Sequence, residues 1–145
     1  MSRHELPTRA QYSFWWPETV RWGDMDAMGH VNNITYFQYM ETARVAFFER
    51  LGWGSRDMGA DRGGPVVVSQ TFNYRQQLHY PADIEIGIAC TELRRRSYVL
   101  SYGIFRKGSD EVIGNGSTVL VWMDYAQGKA VDVPAKIREL FPSQD

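Results

Sequence analysis

A chain of 145 residues has room for one hydrophobic core and suits a single domain. Hydrophobic residues make up 43% and charged residues 23%, an ordinary globular balance, while aromatics at 14% are enough for a thick core, a subunit interface or an apolar pocket. The formal net charge of −1 lacks the basic excess of a nucleic-acid binder, the single cysteine excludes an intrachain disulfide, and no Cys/His cluster has metal-ligand spacing.

Residues 1–12 read as a polar tail on one domain spanning 1–145. Met1 to Trp16 lacks the long apolar run of a signal peptide, and no segment is long enough to span a bilayer, so the expected location is cytoplasmic. Phe14 to Trp22 mixes aromatic and β-branched residues and predicts the first strand, with Pro17 bearing on where it starts. Gly23 to His30 is a short turn with two glycines. From about Asn33 to Leu51 the pattern is helical, with Asn32 or Asn33 as N-cap, and Gly52, Gly54 and the polar, Gly-rich stretch to Pro65 end it. At 100° per residue, Tyr36, Phe37, Tyr39, Met40, Ala43, Ala46, Phe47, Phe48 and Leu51 cover an arc of roughly 200°. Thr35, Gln38, Thr42 and Glu49 form the remaining polar stripe. A surface helix shows a narrower apolar face, so this one is expected to be covered by sheet on most sides.

The rest predicts strands. Val66, Val68, Phe72 and Tyr74 alternate with Ser69, Thr71 and Asn73; Ile84, Ile86, Ile88 and Cys90 alternate with Asp83, Glu85 and Thr91; Tyr98, Leu100, Tyr102 and Ile104 repeat the period of two. Lys107-Gly108-Ser109-Asp110 reads as a hairpin turn, Val119 to Met123 as a central strand apolar on both faces, and Pro134 to Leu140 as a short closing helix. A strand, a long helix and then about four consecutive strands predict an α+β fold with an antiparallel sheet. One helix leaves the other sheet face and the edges to be covered, for which association of copies is the usual remedy.

The chemistry concentrates in Trp22-Gly23-Asp24-Met25-Asp26-Ala27-Met28-Gly29-His30-Val31-Asn32-Asn33. Two carboxylates and an imidazole stand just before a helix N-terminus, whose free N–H groups carry partial positive charge. Such groups hold a carbonyl oxygen that becomes an oxyanion, and a neighbouring carboxylate attacks that carbonyl or activates water. The alternative reading of the same residues is a capped turn, Asp and Gly being favoured there.

The run Asp-x-Asp-x-x-Gly-His-Val-Asn-Asn, followed by Tyr36 and Glu41-Thr42-Ala43-Arg44, resembles the hotdog-fold thioesterases, and most of all the 4-hydroxybenzoyl-CoA thioesterase group and its bacterial acyl-CoA thioesterase relatives. Val66-Val67-Val68-Ser69, Tyr80-Pro81-Ala82-Asp83 and Leu93-Arg94-Arg95-Arg96-Ser97 extend the resemblance over most of the chain. It implies a curved antiparallel sheet wrapped around one long central helix, and hydrolysis of an acyl-CoA or acyl-carrier thioester. Asp26 is then the nucleophile or general base, and the Asn33 backbone N–H polarises the carbonyl. Plant acyl-carrier-protein thioesterases share a similar run; their aspartate also falls on Asp26 and their histidine on His30, but their functional asparagine falls on Met28, which cannot hydrogen-bond in that way. In the 4-hydroxybenzoyl group, basic residues near the positions of Arg94, Arg95 and Arg96 grip the phosphates of CoA. No metal or redox cofactor is implied, CoA being part of the substrate, and the acyl pocket is shared with a neighbouring subunit of a homodimer or homotetramer. The rival readings are another hotdog activity, such as a hydratase or dehydratase, and a non-catalytic acyl-thioester or lipid-binding protein.

Several residues carry two readings. Asp24, two positions from Asp26, points to the same side in an extended segment, or else it braces the turn. His30 serves catalysis or a structural hydrogen bond. Glu41 is a helix-borne base or the ion-pair partner of Arg44. Arg94, Arg95 and Arg96 bind phosphate or form a solvated strand end, where alternation separates Arg95 from the other two. Cys90, on the apolar face of its strand, reads as packing.

Overall fold

The computed structural model describes residues 5–53 and 63–142. The chain runs through β1 (Phe14–Thr19), α1 (Thr35–Arg50), β2 (Gly64–Tyr74), β3 (Asp83–Leu93), β4 (Ser97–Arg106), β5 (Val112–Asp124), β6 (Lys129–Ala130) and α2 (Ala135–Arg138). The strands form one sheet in the order β1-β3-β4-β5-β2, with β6 on β5. β1 runs antiparallel to β3, Phe14 opposite Ile88 and Thr19 opposite Asp83. The α+β layout expected from the element order is the observed one; β6 is an addition that two residues give no periodicity to foresee. Pro17 lies inside β1, opposite Glu85. β1 ends the strand order, and an edge strand tolerates a residue without an N–H.

Contacts gather into two units, and the division falls inside α1 and inside each of β2, β3, β4 and β5. The first holds the chain up to Arg44 with Phe72–Ala89 and Tyr102–Gly116. Its core takes Tyr36, Tyr39, Met40 and Ala43 from α1, Ile84, Ile86 and Ile88 from β3, and Tyr102 and Ile104 from β4, none more than 5% exposed. Burial of an Ile or Met side chain of this kind stabilises by roughly 1.5–3 kcal/mol. Thr35 is buried, so the polar stripe is narrower than the sequence suggests, and Arg44 is buried as well. Arg44 is accommodated because its Nη1 donates to the Tyr102 hydroxyl at 3.1 Å.

The polar-tail expectation for residues 1–12 needs correction where the structure describes them. Arg9–Gln11 form a 3-10 turn, and Tyr12 packs with Phe105, Val112, Trp15 and Ala89. Its ring occupies space that Gly87 and Gly103 leave open, since a Cβ on either would come within 2.7 Å of it. Arg9 sits 4.9 Å from the Trp15 and Phe105 ring centroids and pairs with Glu85 at 2.8 Å. One aromatic and one cation thus anchor a segment whose composition is otherwise that of a tail.

The second unit holds Val45–Thr71, Cys90–Ser101 and the chain from Ser117 onward. Phe47, Phe48, Tyr98, Leu100, Leu120 and Ile137 are buried in it. α1 ends here at Arg50, and Gly52 just beyond it has a φ of 93° that suits glycine. The Trp53 N–H reaches the Phe48 carbonyl and the Gly52 N–H the Glu49 carbonyl, both at 3.0 Å. That pair of bonds, with the Phe48 and Trp53 rings edge to face at 6.5 Å, closes the helix end. The closing helix α2 is shorter than the Pro134–Leu140 expected, with Pro134 standing just before it as the N-cap.

Candidate active site

Met25 and Val31 form an antiparallel bridge, and the residues between them make a tight hairpin. The Asp26 N–H donates to the His30 carbonyl at 3.0 Å and the Gly29 N–H to the Asp26 carbonyl at 3.1 Å. Gly29 has φ 87°, the left-handed conformation that such a turn assigns to glycine. Within the turn, Asp26 Oδ1 accepts the Met28 N–H at 2.9 Å, and no donor among the described residues reaches Oδ2. The carboxylate is therefore held by one oxygen and open at the other.

The chain then enters α1. Asn32 caps it: its Oδ1 accepts the Ile34 N–H at 3.0 Å, and its carbonyl accepts the Thr35 N–H at 2.9 Å. The Asn33 N–H has no acceptor among the described residues. A cavity of about 360 Å³ is lined by Asp26, His30, Val31, Asn33 and Tyr36 together with Tyr74, Arg75, Gln76 and Gln77. Three residues singled out in the sequence, Asp26, His30 and Asn33, thus meet in one cavity, with an open carboxylate oxygen and an unused helix N-terminal amide among them.

Asp24 is elsewhere. It closes the 3-10 turn Trp22–Asp24, which breaks the extended geometry that would have aligned it with Asp26. Its Oδ2 accepts the Tyr39 hydroxyl at 2.7 Å and the Arg21 N–H at 2.9 Å, and it lines a separate cleft with Glu18, Arg21, Gln38, Tyr39 and Thr42. Burial, reinforced by the bond to Asp24, holds the Tyr39 phenol far above its usual range. Tyr36, inside the site, is also raised by burial, against a lowering bond from the Leu78 backbone.

The wall formed by Tyr74 to Gln77 has no signature in the sequence. Its partners lie far along the chain: Tyr74 is 41 residues from Asn33, to whose carbonyl its hydroxyl donates at 2.8 Å. His79 is 50 residues from Gly29, whose carbonyl its Nδ1 meets at 2.8 Å. That carbonyl only accepts, so Nδ1 carries a proton. The His79 and His30 rings stand edge to face at 6.3 Å. Arg75, also in the wall, donates from Nε to Asn115 Oδ1 at 3.0 Å.

The sequence model of the thioesterase-like superfamily matches residues 20–141. The chain belongs to the thioesterase-like superfamily. Two solved Pseudomonas aeruginosa proteins share its fold: one is 38% identical with a TM-score of 0.81, covering 89% of this chain and 98% of its own. The other is 30% identical with a TM-score of 0.83, covering 92% of each. The long-chain acyl-CoA thioesterase FadM of Escherichia coli is 28% identical over 83% of this chain and 90% of its own. A 1,4-dihydroxy-2-naphthoyl-CoA thioesterase from Synechocystis, at 14% identity, shares the fold alone, with a TM-score of 0.80 over 88% of this chain and 93% of its own. Family and fold are those that the Asp24–Asn33 run pointed to: a hotdog thioesterase, whose family reaction is thioester hydrolysis.

The remaining candidates of this thioesterase lie outside the cavity lining. Glu41 is exposed and stands 3.9 Å from Arg44, an ion pair one helical turn long. Arg94, Arg95 and Arg96 form the connection between β3 and β4, not a strand end, so strand alternation does not sort them. Arg94 meets Glu92 at 3.4 Å, while Arg95 and Arg96 share Asp132 at 3.0 and 3.7 Å. Burial pushes the Cys90 thiol up to about 11, which keeps it protonated and suits packing. No described helix is long and apolar enough to cross a membrane.

Proposed function

We propose that this chain hydrolyses an acyl-CoA thioester, with Asp26 as the reacting carboxylate and the Asn33 N–H as the donor to the thioester carbonyl. The observation that carries the reading is the shared cavity: an aspartate anchored through Oδ1 and, among the described residues, open at Oδ2 lines the same space as a residue whose amide has no partner among them. In this reading Asp26 Oδ2 attacks the carbonyl carbon, or takes a proton from a water that does. The carbonyl oxygen gains charge against the Asn33 N–H and the positive end of α1. The C–S bond then breaks, and the thiolate leaves and takes up a proton; where water attacked, the acid forms directly, and where Asp26 attacked, a water hydrolyses the mixed anhydride left on Asp26 to release the acid and restore the carboxylate. Val31 and Tyr36 supply apolar wall to the acyl side. His30 orders the turn and the water. The reaction calls on no metal or redox cofactor; CoA enters as part of the substrate.

Arg94, Arg95 and Arg96 are proposed to hold the CoA phosphates. The protein is proposed to act in the cytoplasm as a homodimer or homotetramer.

Release of free thiol from a panel of acyl-CoAs (octanoyl, palmitoyl, benzoyl) tests the reading. Wild-type protein is expected to turn over, and Asp26→Asn to lose on the order of 10²-fold or more in kcat at unchanged folding, because the substitution keeps volume but removes nucleophile and base. Binding of the panel without thiol release would instead support a non-catalytic thioester-binding protein.

A further inference from the structure

The backbone around Asn33 can be accounted for group by group. Two peptide units flank its Cα. In the first, the Asn32 carbonyl is taken by the Thr35 N–H. In the second, the Ile34 N–H is taken by Asn32 Oδ1, and the Asn33 carbonyl by the Tyr74 hydroxyl. Only the Asn33 N–H is left without a partner among the described residues. The Tyr74 bond is the unusual one. A carbonyl at the start of a helix ordinarily accepts the N–H four residues on. Here the Phe37 N–H goes instead to the Ile34 carbonyl at 3.1 Å. A phenol from the end of β2 takes the place that the helix leaves vacant.

Tyr74 is built to hold that place. The N–H groups of Arg75 and Gln76 both donate to the Ile113 carbonyl, at 3.0 and 3.1 Å. Two residues against one is a bulge, which bends a strand and re-aims its side chains. The Tyr74 ring then stands edge-on to Tyr36 at 5.3 Å and to Phe72 at 4.9 Å. Tyr36 and Phe72 are themselves stacked at 5.1 Å, and Tyr36 is 3% exposed. The ring is braced while the hydroxyl remains a donor, and the partial desolvation that raises the phenol keeps it protonated.

We infer that Tyr74 is a positioning residue for thioester hydrolysis: by fixing the Asn33 carbonyl, its hydroxyl sets the turn that presents the Asn33 N–H to the substrate carbonyl. The inference rests on the reading of that N–H as the oxyanion donor. A donor must sit within a few tenths of an ångström of the developing oxyanion to act. A turn released at one end samples other orientations, and misplacement of this size lowers turnover without weakening binding.

Tyr74→Phe tests this, because it keeps the ring and its packing and removes only the donor. Expected are a loss of about tenfold in kcat, a KM within about twofold of wild type, and an unchanged unfolding midpoint. A spectroscopic reading separates positioning from mere structure. The best acyl-CoA of the panel, labelled with ¹³C at the thioester carbonyl, is bound to the slow Asp26→Asn variant. Its carbonyl stretch is expected at lower frequency than in buffer, and adding Tyr74→Phe is expected to move it partway back. A wild-type kcat in Tyr74→Phe, or a band that does not respond to it, would overturn the positioning role. A raised KM at unchanged kcat would overturn it too, since Tyr74 would then contact the acyl group directly. A band in Asp26→Asn alone that shows no shift to lower frequency would overturn the Asn33 assignment itself.

Discussion

Two aspartates two positions apart have different surroundings, and they differ in the hydrogen-bond donors that reach them. Asp24 Oδ2 takes a phenol and a backbone amide at 2.7 and 2.9 Å. Asp26 takes one backbone amide and keeps an oxygen open. Two short donors on one oxygen make Asp24 a good brace, and it lines a different cleft from Asp26. Asp24→Asn is therefore expected to cost stability, about 1–2 kcal/mol in urea unfolding, through loss of its charge-assisted bonds, while kcat falls by less than about tenfold. A kcat loss matching that of Asp26→Asn with no change in stability would reverse the two assignments. The motif marks both carboxylates as candidates; the 3-10 turn at Trp22–Asp24, which sequence periodicity does not reveal, sends them to different cavities.

Among the elements, β2 is the least satisfied. It closes the strand order opposite β1, and residues 67–71 are all exposed, with Val67 at 37% and Val68 at 58%. β1 protects its own position with Pro17, which lacks an N–H to offer a newcomer. β2 has no such device in its exposed stretch. A strand edge of this kind recruits another strand, and a second copy of the chain is the partner always present. Light scattering at micromolar concentration is expected to give two or four times 16.7 kDa, and Val68→Lys to shift the population toward monomer. A wild-type monomer with full activity would sink the expectation. The alternation of Val66, Val68, Phe72 and Tyr74 in sequence predicts the strand but not its exposure, because period two assigns residues to faces without saying which strand lies at an edge.

For the whole molecule, the net charge of −1 hides a local excess. Arg94, Arg95 and Arg96 side chains are 73%, 74% and 54% exposed, and their acidic partners are exposed as well. Exposed pairs of this kind contribute roughly 0–1 kcal/mol, so exchanging Asp132 for a phosphate costs little. Replacing Arg95 and Arg96 with Ala is expected to raise KM for an acyl-CoA several-fold at constant kcat. The effect should shrink as salt rises, since screening acts over about 8 Å at physiological ionic strength. An acyl-pantetheine thioester, which has no nucleotide phosphates, should not respond. Equal sensitivity of both substrates would assign the arginines to the fold.

The α+β class, the single long helix and the candidate run follow from the sequence alone, because each depends on local pattern: a period of two along Ile84–Cys90, a wide apolar arc from Tyr36 to Leu51, and Asp, Gly, His and Asn at fixed offsets before a helix. Local pattern also identified Asn32 or Asn33 as the cap, and the structure chose Asn32. What only the tertiary structure decided are the relations across long stretches of chain. The wall from Tyr74 to Gln77, the Tyr74 bond to Asn33, the His79 contact with Gly29 and the seat of Tyr12 over Gly87 and Gly103 join residues tens of positions apart. Period and propensity describe neighbours along the chain. Which distant residues meet depends on strand order and on the paired bonds of the Arg75 and Gln76 N–H groups to the Ile113 carbonyl, just past the end of β2.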